Sequence, residues 1–154
     1  MSKQLLLVAH APSPNTERLR DAITTGVAAA ESKDIELVVR SPFDAGPEEV
    51  MAARAVVLFT TENLGYMSGA LKDFFDRIYY PVLEKKQGLT YMLIIRAGHD
   101  GTGTQRGVET IITGLRWKAA QEPLICRGDF DESFVGKCEE AGMLIAAGLD
   151  AGIF

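Results

Sequence analysis

The chain has 154 residues, a length that suits one domain able to bury roughly 70% of its unfolded surface without disulfide or metal staples. Hydrophobic residues make up 47% and charged residues 24%, which is ordinary globular composition and argues against a disordered or fibrous chain. The net charge of −5 argues against nucleic-acid binding, which needs a basic face, and is too mild for a strongly acidic docking protein.

Leu5-Leu6-Leu7-Val8-Ala9 is an unbroken apolar run whose length suits a strand buried on both faces. It is too short for the apolar core of a signal peptide or for a membrane span, so a soluble, cytoplasmic protein without membrane insertion is expected. Asn15 or Thr16 caps a helix to about Ser32, with Leu19, Ile23 and Val27 on one face. Ile35 to Val39 reads as a second strand, Ser41 to Gly46 as a turn, and Pro47 starts a short helix to about Ala53. Ala55 to Thr60 is a third apolar strand. The next segment, Thr61-Glu62-Asn63-Leu64-Gly65-Tyr66-Met67, fits neither a buried strand nor a helix and reads as a loop. A helix from about Ser68 to Tyr79 follows, carrying Leu71, Phe74, Phe75 and Ile78 at helical spacing. Tyr91 to Ile95 is the fourth strand, and the loop Arg96 to Gly103 leads into a helix ending near Lys118. Pro123 to Cys126 gives a short fifth strand, and Asp131 to Ala151 the last helix.

Apolar strands alternating with helices predict an α/β fold over a single domain, 1–154. Its core is a three-layer, doubly wound, five-stranded parallel sheet covered on both faces. Cys126 and Cys138 read as free thiols of a reducing compartment, with a disulfide or a metal pair as the alternatives; a zinc site would need further ligands.

In such a sheet, ligands gather beyond the carboxyl ends of the strands, where the strand order reverses. Three loops of unusual composition leave those ends. In the first, His10 to Thr16, the small donors Ser13, Asn15 and Thr16 stand before a helix start, with Pro14 among them. Backbone N–H groups and the helix dipole make this a place for an oxyanion. It lacks the glycines and lysine of a P-loop. The second is Thr61 to Ser68. The third, Arg96-Ala97-Gly98-His99-Asp100-Gly101-Thr102-Gly103, carries glycines that let backbone approach a flat ligand, and holds the central histidine, His99. A phosphoacceptor domain of the same architecture needs acidic residues where Ala9-His10 and Thr60-Thr61 stand. A G-x-S-x-G elbow is absent, and no His and carboxylate cluster has metal-ligand spacing.

Two of these segments resemble motifs of the flavodoxin-like superfamily, especially its NAD(P)H-dependent FMN and quinone reductases. "SPNTERL", Ser13 to Leu19, resembles the phosphate loop, with Pro14 in place of a common glycine. Thr61 to Asp76 resembles the signature P-E-Y-x-G-S-x-P-G-x-L-K-x-x-x-D. Glu62, Gly65, Gly69, Leu71, Lys72 and Asp76 match it; Thr61, Asn63 and Ser68 depart from it. The resemblance implies strand order 2-1-3-4-5 and FMN as cofactor. The phosphate would sit on Ser13, Pro14, Asn15 and Thr16. The isoalloxazine ring would lie between Thr61, Glu62, Asn63, Leu64, Gly65 and Tyr66 on one side and Arg96, Ala97, Gly98, His99 and Gly101 on the other.

No aromatic residue lies between Arg96 and Gly103, and Tyr66 is the one ring of the second loop. A flavin face open to a stacking nicotinamide favours hydride transfer through flavin N5, from NADPH or NADH to a quinone or similar small electron acceptor, with no catalytic side chain required. Arg96 would offset negative charge. A one-electron carrier and a flavin-free interaction module remain the alternatives. A homodimer through the Ser68–Tyr79 helix is also open, because Phe74, Phe75, Tyr79 and Tyr80 exceed what one helix face must bury.

Overall fold

Unbroken apolar strands can satisfy their backbone only in a ladder and their side chains only under cover on both sides, so helices must alternate with them. A computed structural model describes residues 2–154; Met1, the first residue of the expected domain, lies outside them. The elements in chain order are β1 (Lys3–Ala9), α1 (Pro14–Ala29), β2 (Ile35–Arg40), α2 (Pro47–Ala52), β3 (Ala53–Asn63), β4 (Tyr66–Met67), α3 (Gly69–Val82), β5 (Thr90–Ala97), α4 (Thr102–Leu115), β6 (Lys118–Ala119), β7 (Leu124–Arg127) and α5 (Ser133–Asp150).

The main sheet runs β2-β1-β3-β5, all parallel, and β6 and β7 pair with successive halves of the far edge of β5. This is the expected doubly wound order, with the fifth strand split in two. Lys118–Ala119 pairs with Thr90–Tyr91, and after a short break Leu124–Arg127 pairs with Ile94–Ala97. The first half has two exposed residues and no apolar run, so the sequence gives no strand signal there.

Side chains alternate between two cores. Leu5, Leu7, Val57, Phe59, Met92 and Ile94 face α1 and α5. Leu6, Val8, Val56, Leu58, Leu93 and Ile95 face α3 and α4. Cys126 and Cys138 lie buried in the first core as free thiols, and the neighbouring Cys126 thiol together with burial pushes the Cys138 thiol up. Phe74 and Phe75 are both buried in the second core, which leaves Tyr80 as the markedly exposed aromatic of α3. No helix among the described residues is long and apolar enough to cross a membrane.

Several boundaries move for local reasons. The first helix ends at Ala29, short of Ser32, because Glu31 takes a left-handed φ of 51°. α3 continues through Pro81 to Val82, since Val82 is buried while Pro81 sits on the exposed side. α4 stops at Leu115, where Arg116 takes φ 60°. Strand β5 reaches Ala97, so Arg96 and Ala97 belong to the sheet rather than to the loop.

The layer on the α1/α5 side is held by backbone contact. A Cβ on Gly26 would stand 1.9 Å from the Glu139 carbonyl oxygen, and one on Gly142 would stand 2.2 Å from that of Ile23. Each helix therefore uses a glycine to admit the other's backbone. Replacing Gly26→Val should cost about 1–3 kcal/mol or more through overpacking. Urea denaturation of the variant checks this; an unchanged midpoint would mean that the helices are not so closely packed.

Candidate functional site

The chain runs from β1 to β2 on one side and then crosses back to β3 on the other, so the crevice at the switch point opens between the carboxyl ends of β1 and β3. The β1 end is continued by His10, whose N–H donates to the Phe59 carbonyl at 2.9 Å. Partial burial lowers the His10 imidazole from its ordinary pKa, favouring its neutral form.

Ser13 is the N-cap of α1. Its hydroxyl accepts the Thr16 N–H at 3.2 Å, while Thr16 Oγ1 accepts the Ser13 N–H at 2.9 Å. The two hydroxyls also stand 2.9 Å apart. Pro14 occupies the first helical position, where a missing N–H costs nothing to the helix but removes one donor from any anion. Asn15 is exposed, and its side chain makes no hydrogen bond among the described residues. The terminus thus offers an oxyanion the Asn15 groups outright. Ser13 and Thr16 are available only if their mutual bonds are exchanged. Arg18, one turn on, is forked onto Glu132 at 2.9 and 2.6 Å and lies over the Phe130 ring.

The segment after the third strand is a hairpin rather than a loop. Strand β3 runs on to Asn63 and pairs back with β4, Glu62 opposite Met67 and Asn63 opposite Tyr66. Leu64 and Gly65 turn the chain with φ of 54° and 76°, the pattern of a type I′ turn. Glycine suits such a φ; Leu64 does not, and its side chain is fully exposed at the tip. At the base, the buried Thr60 hydroxyl accepts the Ser68 N–H at 3.1 Å and lies 3.2 Å from the Ser68 hydroxyl. Ser68 in turn caps α3 by accepting the Leu71 N–H at 3.1 Å. The serine that departs from the signature at this position thus supplies a cap that proline lacks.

Glu62 joins the hairpin to the loop beyond β5. Its two carboxylate oxygens accept the N–H groups of His99 and Gly101, each at 2.9 Å. Thr104 Oγ1 donates to the Tyr66 carbonyl at 2.9 Å, and the Tyr66 ring rests on Gly107 of α4. A Cβ on Gly103 would stand 2.0 Å from the Gly65 carbonyl oxygen, whereas one on Gly98 would meet open space. Gly103, in the first turn of α4 rather than in the loop, admits the hairpin, and Gly98 leaves room beside the loop. Asp100 accepts the N–H and hydroxyl of Thr102, which hold its carboxyl below its usual value.

Arg96 turns toward the α1/α5 side. Its guanidinium donates to the carbonyls of Ala97 at 2.7 Å and Cys126 at 3.1 Å, and stacks on Phe134 at 5.2 Å and Phe130 at 5.9 Å. It meets no carboxylate among the described residues. Phe130 and Phe134 went unread at the sequence level. The signal was their place: "GDFDESF" follows the fifth strand and so returns to the same carboxyl edge. His10 opens the first of the three candidate loops, but its sequence context gives it no specific role. No metal-holding group of His, Cys, Asp and Glu occurs among the described residues.

No family model matches the chain, and no curated protein matches its sequence. Solved structures match its fold along nearly its whole length. A flavodoxin from the domain Archaea superposes with a TM-score of 0.79 at 16% identity, covering 96% of this chain and 99% of that one. Oxidised flavodoxin 2 from Bacillus cereus gives 0.75 at 20%, covering 99% and 100%. A WrbA-like protein from Agrobacterium tumefaciens, described as a flavodoxin, gives 0.69 at 12%, covering 99% of both. The chain therefore has the flavodoxin-like fold.

Because Gly103 fits against Gly65, Gly103→Ala should lift the hairpin from α4. Amides of Thr61 to Met67 should exchange with solvent faster while those of α1 and α5 stay unchanged. Hydrogen exchange measures this directly, and equal protection of the hairpin in both proteins would refute the contact.

Proposed function

We propose that this chain binds FMN at the carboxyl edge of β1, β3 and β5, and acts as an NAD(P)H-dependent oxidoreductase toward a quinone or similar small acceptor. One observation carries the reading. At the switch point of a flavodoxin-like sheet, an uncharged hydroxyl and amide terminus of α1 faces the same edge as a braced wall of hairpin and β5 loop.

Ser13, Asn15 and Thr16 would hold the phosphate by hydrogen bonds at the positive end of the helix, with Pro14 fixing the first turn. The capping bonds between Ser13 and Thr16 would be exchanged for bonds to the anion. Toward the ring, Thr61 to Tyr66 and Arg96 to Gly101 would form the walls. The N–H groups of His99 and Gly101, now held by Glu62, are the donors that a ligand carbonyl would take over, and Gly98 leaves space at their side. Arg96 supplies positive charge on this edge without a neutralising carboxylate.

Bound FMN would supply hydride chemistry between a nicotinamide and the acceptor, which is why no side-chain nucleophile is needed. The protein's part is to leave a face open. The Tyr66 ring lies on α4, and the loop from Arg96 to Gly103 has no aromatic residue. A nicotinamide needs direct stacking with reacting atoms about 3–3.5 Å apart, and this arrangement gives it no ring to displace.

The likeness to flavodoxins favours a second reading, a one-electron carrier, for which exposed Leu64 would be an apolar contact for a protein partner. Purified protein should be yellow or should bind added FMN. Under anaerobic conditions NADH or NADPH should bleach it within the turnover time. Reduction by dithionite alone would support the carrier, and failure to bind FMN would remove both readings in favour of a flavin-free module. Asn15→Asp, which sets a carboxylate against the phosphate, should weaken FMN at least about tenfold. Titration by flavin fluorescence measures it, and unchanged affinity would move the phosphate elsewhere.

A further inference from the structure

The opposite pole of the sheet carries a second concentration of charge. The strands are parallel, so the amino ends of β3 and β5 lie away from all the loops considered above. Together with the turn after α3 and with Phe154, they line an open surface cavity of about 280 Å³ that includes Arg54, Lys85, Lys86, Gln87 and Thr90. The chain has 21 acidic and 16 basic residues, yet three cations share this cavity and no Asp or Glu side chain lines it. None of the three is ion-paired among the described residues.

The fixed placement of one of these cations makes this more than a chance run of surface charge. The Lys86 ammonium is fixed in place, donating to the carbonyls of Ala53 at 2.9 Å and Met51 at 3.1 Å at the end of α2. An ammonium has three donors, so one remains for a ligand. Burial, with Arg54 adding to it, lowers the Lys86 pKa. Thr90 lines the same cavity, and its hydroxyl, open to it, makes no hydrogen bond among the described residues.

We propose that this cavity binds a compact phosphate-bearing anion, with Arg54 and Lys85 supplying mobile charge, Lys86 a fixed donor, and Gln87 and Thr90 further hydrogen-bonding groups. The guanidinium fork of Arg54 suits paired phosphate oxygens. The volume lies just under the usual range for whole cofactors, roughly 300–1,000 Å³, and so fits a phosphate or pyrophosphate group rather than a nucleotide.

The test is titration of the full chain with inorganic pyrophosphate at constant ionic strength, with and without added FMN, read by calorimetry and by amide NMR. Saturable binding is expected, with shifts at Gly88, Leu89 and Thr90, undiminished by FMN. Arg54→Gln and Lys85→Gln should each weaken it about tenfold, since each removes one charge-assisted bond. Neither side chain makes an intramolecular hydrogen bond among the described residues, so thermal melting should be unchanged. Absence of saturable binding, equal affinity in both variants, or shifts at Ser13 to Thr16 instead would overturn the proposal. So would tighter binding of a Glu-rich peptide than of pyrophosphate, which would mark an acidic protein partner. These outcomes do not depend on whether FMN binds at the other pole.

Discussion

A sheet covered on both faces leaves no surface on which to build a polar site. In β1, β3 and β5 almost every side chain belongs to one of two dry cores, and almost every backbone group is spent in the ladder. Chemistry can only happen where the strands end. Parallel strands also put their carboxyl ends beside the starts of the following helices, so free N–H groups and dipole ends collect on one edge. That single constraint explains why Ser13, Glu62, Arg96 and His99 come from distant parts of the chain yet share a neighbourhood.

On that edge, order is imposed by a few buried polar groups. Thr60 and Ser68 lie deep at the root of the hairpin and satisfy each other, which fixes where β3 stops and α3 begins. Glu62 then fastens the hairpin to the β5 loop with two bonds, and Gly103 and Gly107 let it lie directly on α4. The wall is preorganised, and a ligand that replaces the carboxylate at the His99 and Gly101 amides would exchange like for like. The α1 terminus is the softer side, since its hydroxyls are occupied with each other.

Charge is distributed unevenly between the two ends. At the carboxyl edge Arg18 is forked onto Glu132, and Arg96 is folded onto carbonyls and phenyl rings, so neither guanidinium stands free at the surface. At the amino edge Arg54, Lys85 and Lys86 make no ion pair among the described residues. A net charge of −5 conceals this division, because it sums over both poles.

The five strands and five main helices were legible in the sequence because each is a local pattern. Leu5 to Ala9 or Ala55 to Thr60 can hardly be anything but buried strand, and their alternation with helices fixes a doubly wound sheet. What local pattern could not carry was set by contacts distant in sequence. Thr61 to Met67 looked like a loop because its pairing partner is itself, across a turn that puts Leu64 in an unfavourable backbone region. Lys118 and Ala119 are a strand only because the edge of β5 is there to pair with them. Glu62 was visible as a polar residue, but that its carboxylate spans to His99 and Gly101 depends on β3 and β5 lying side by side. The sequence by itself determined which segments would be buried; the tertiary structure decided which polar groups would be spent on holding those segments together and which would be left for a ligand. A hydrogen bond between residues some forty apart leaves no periodicity to read.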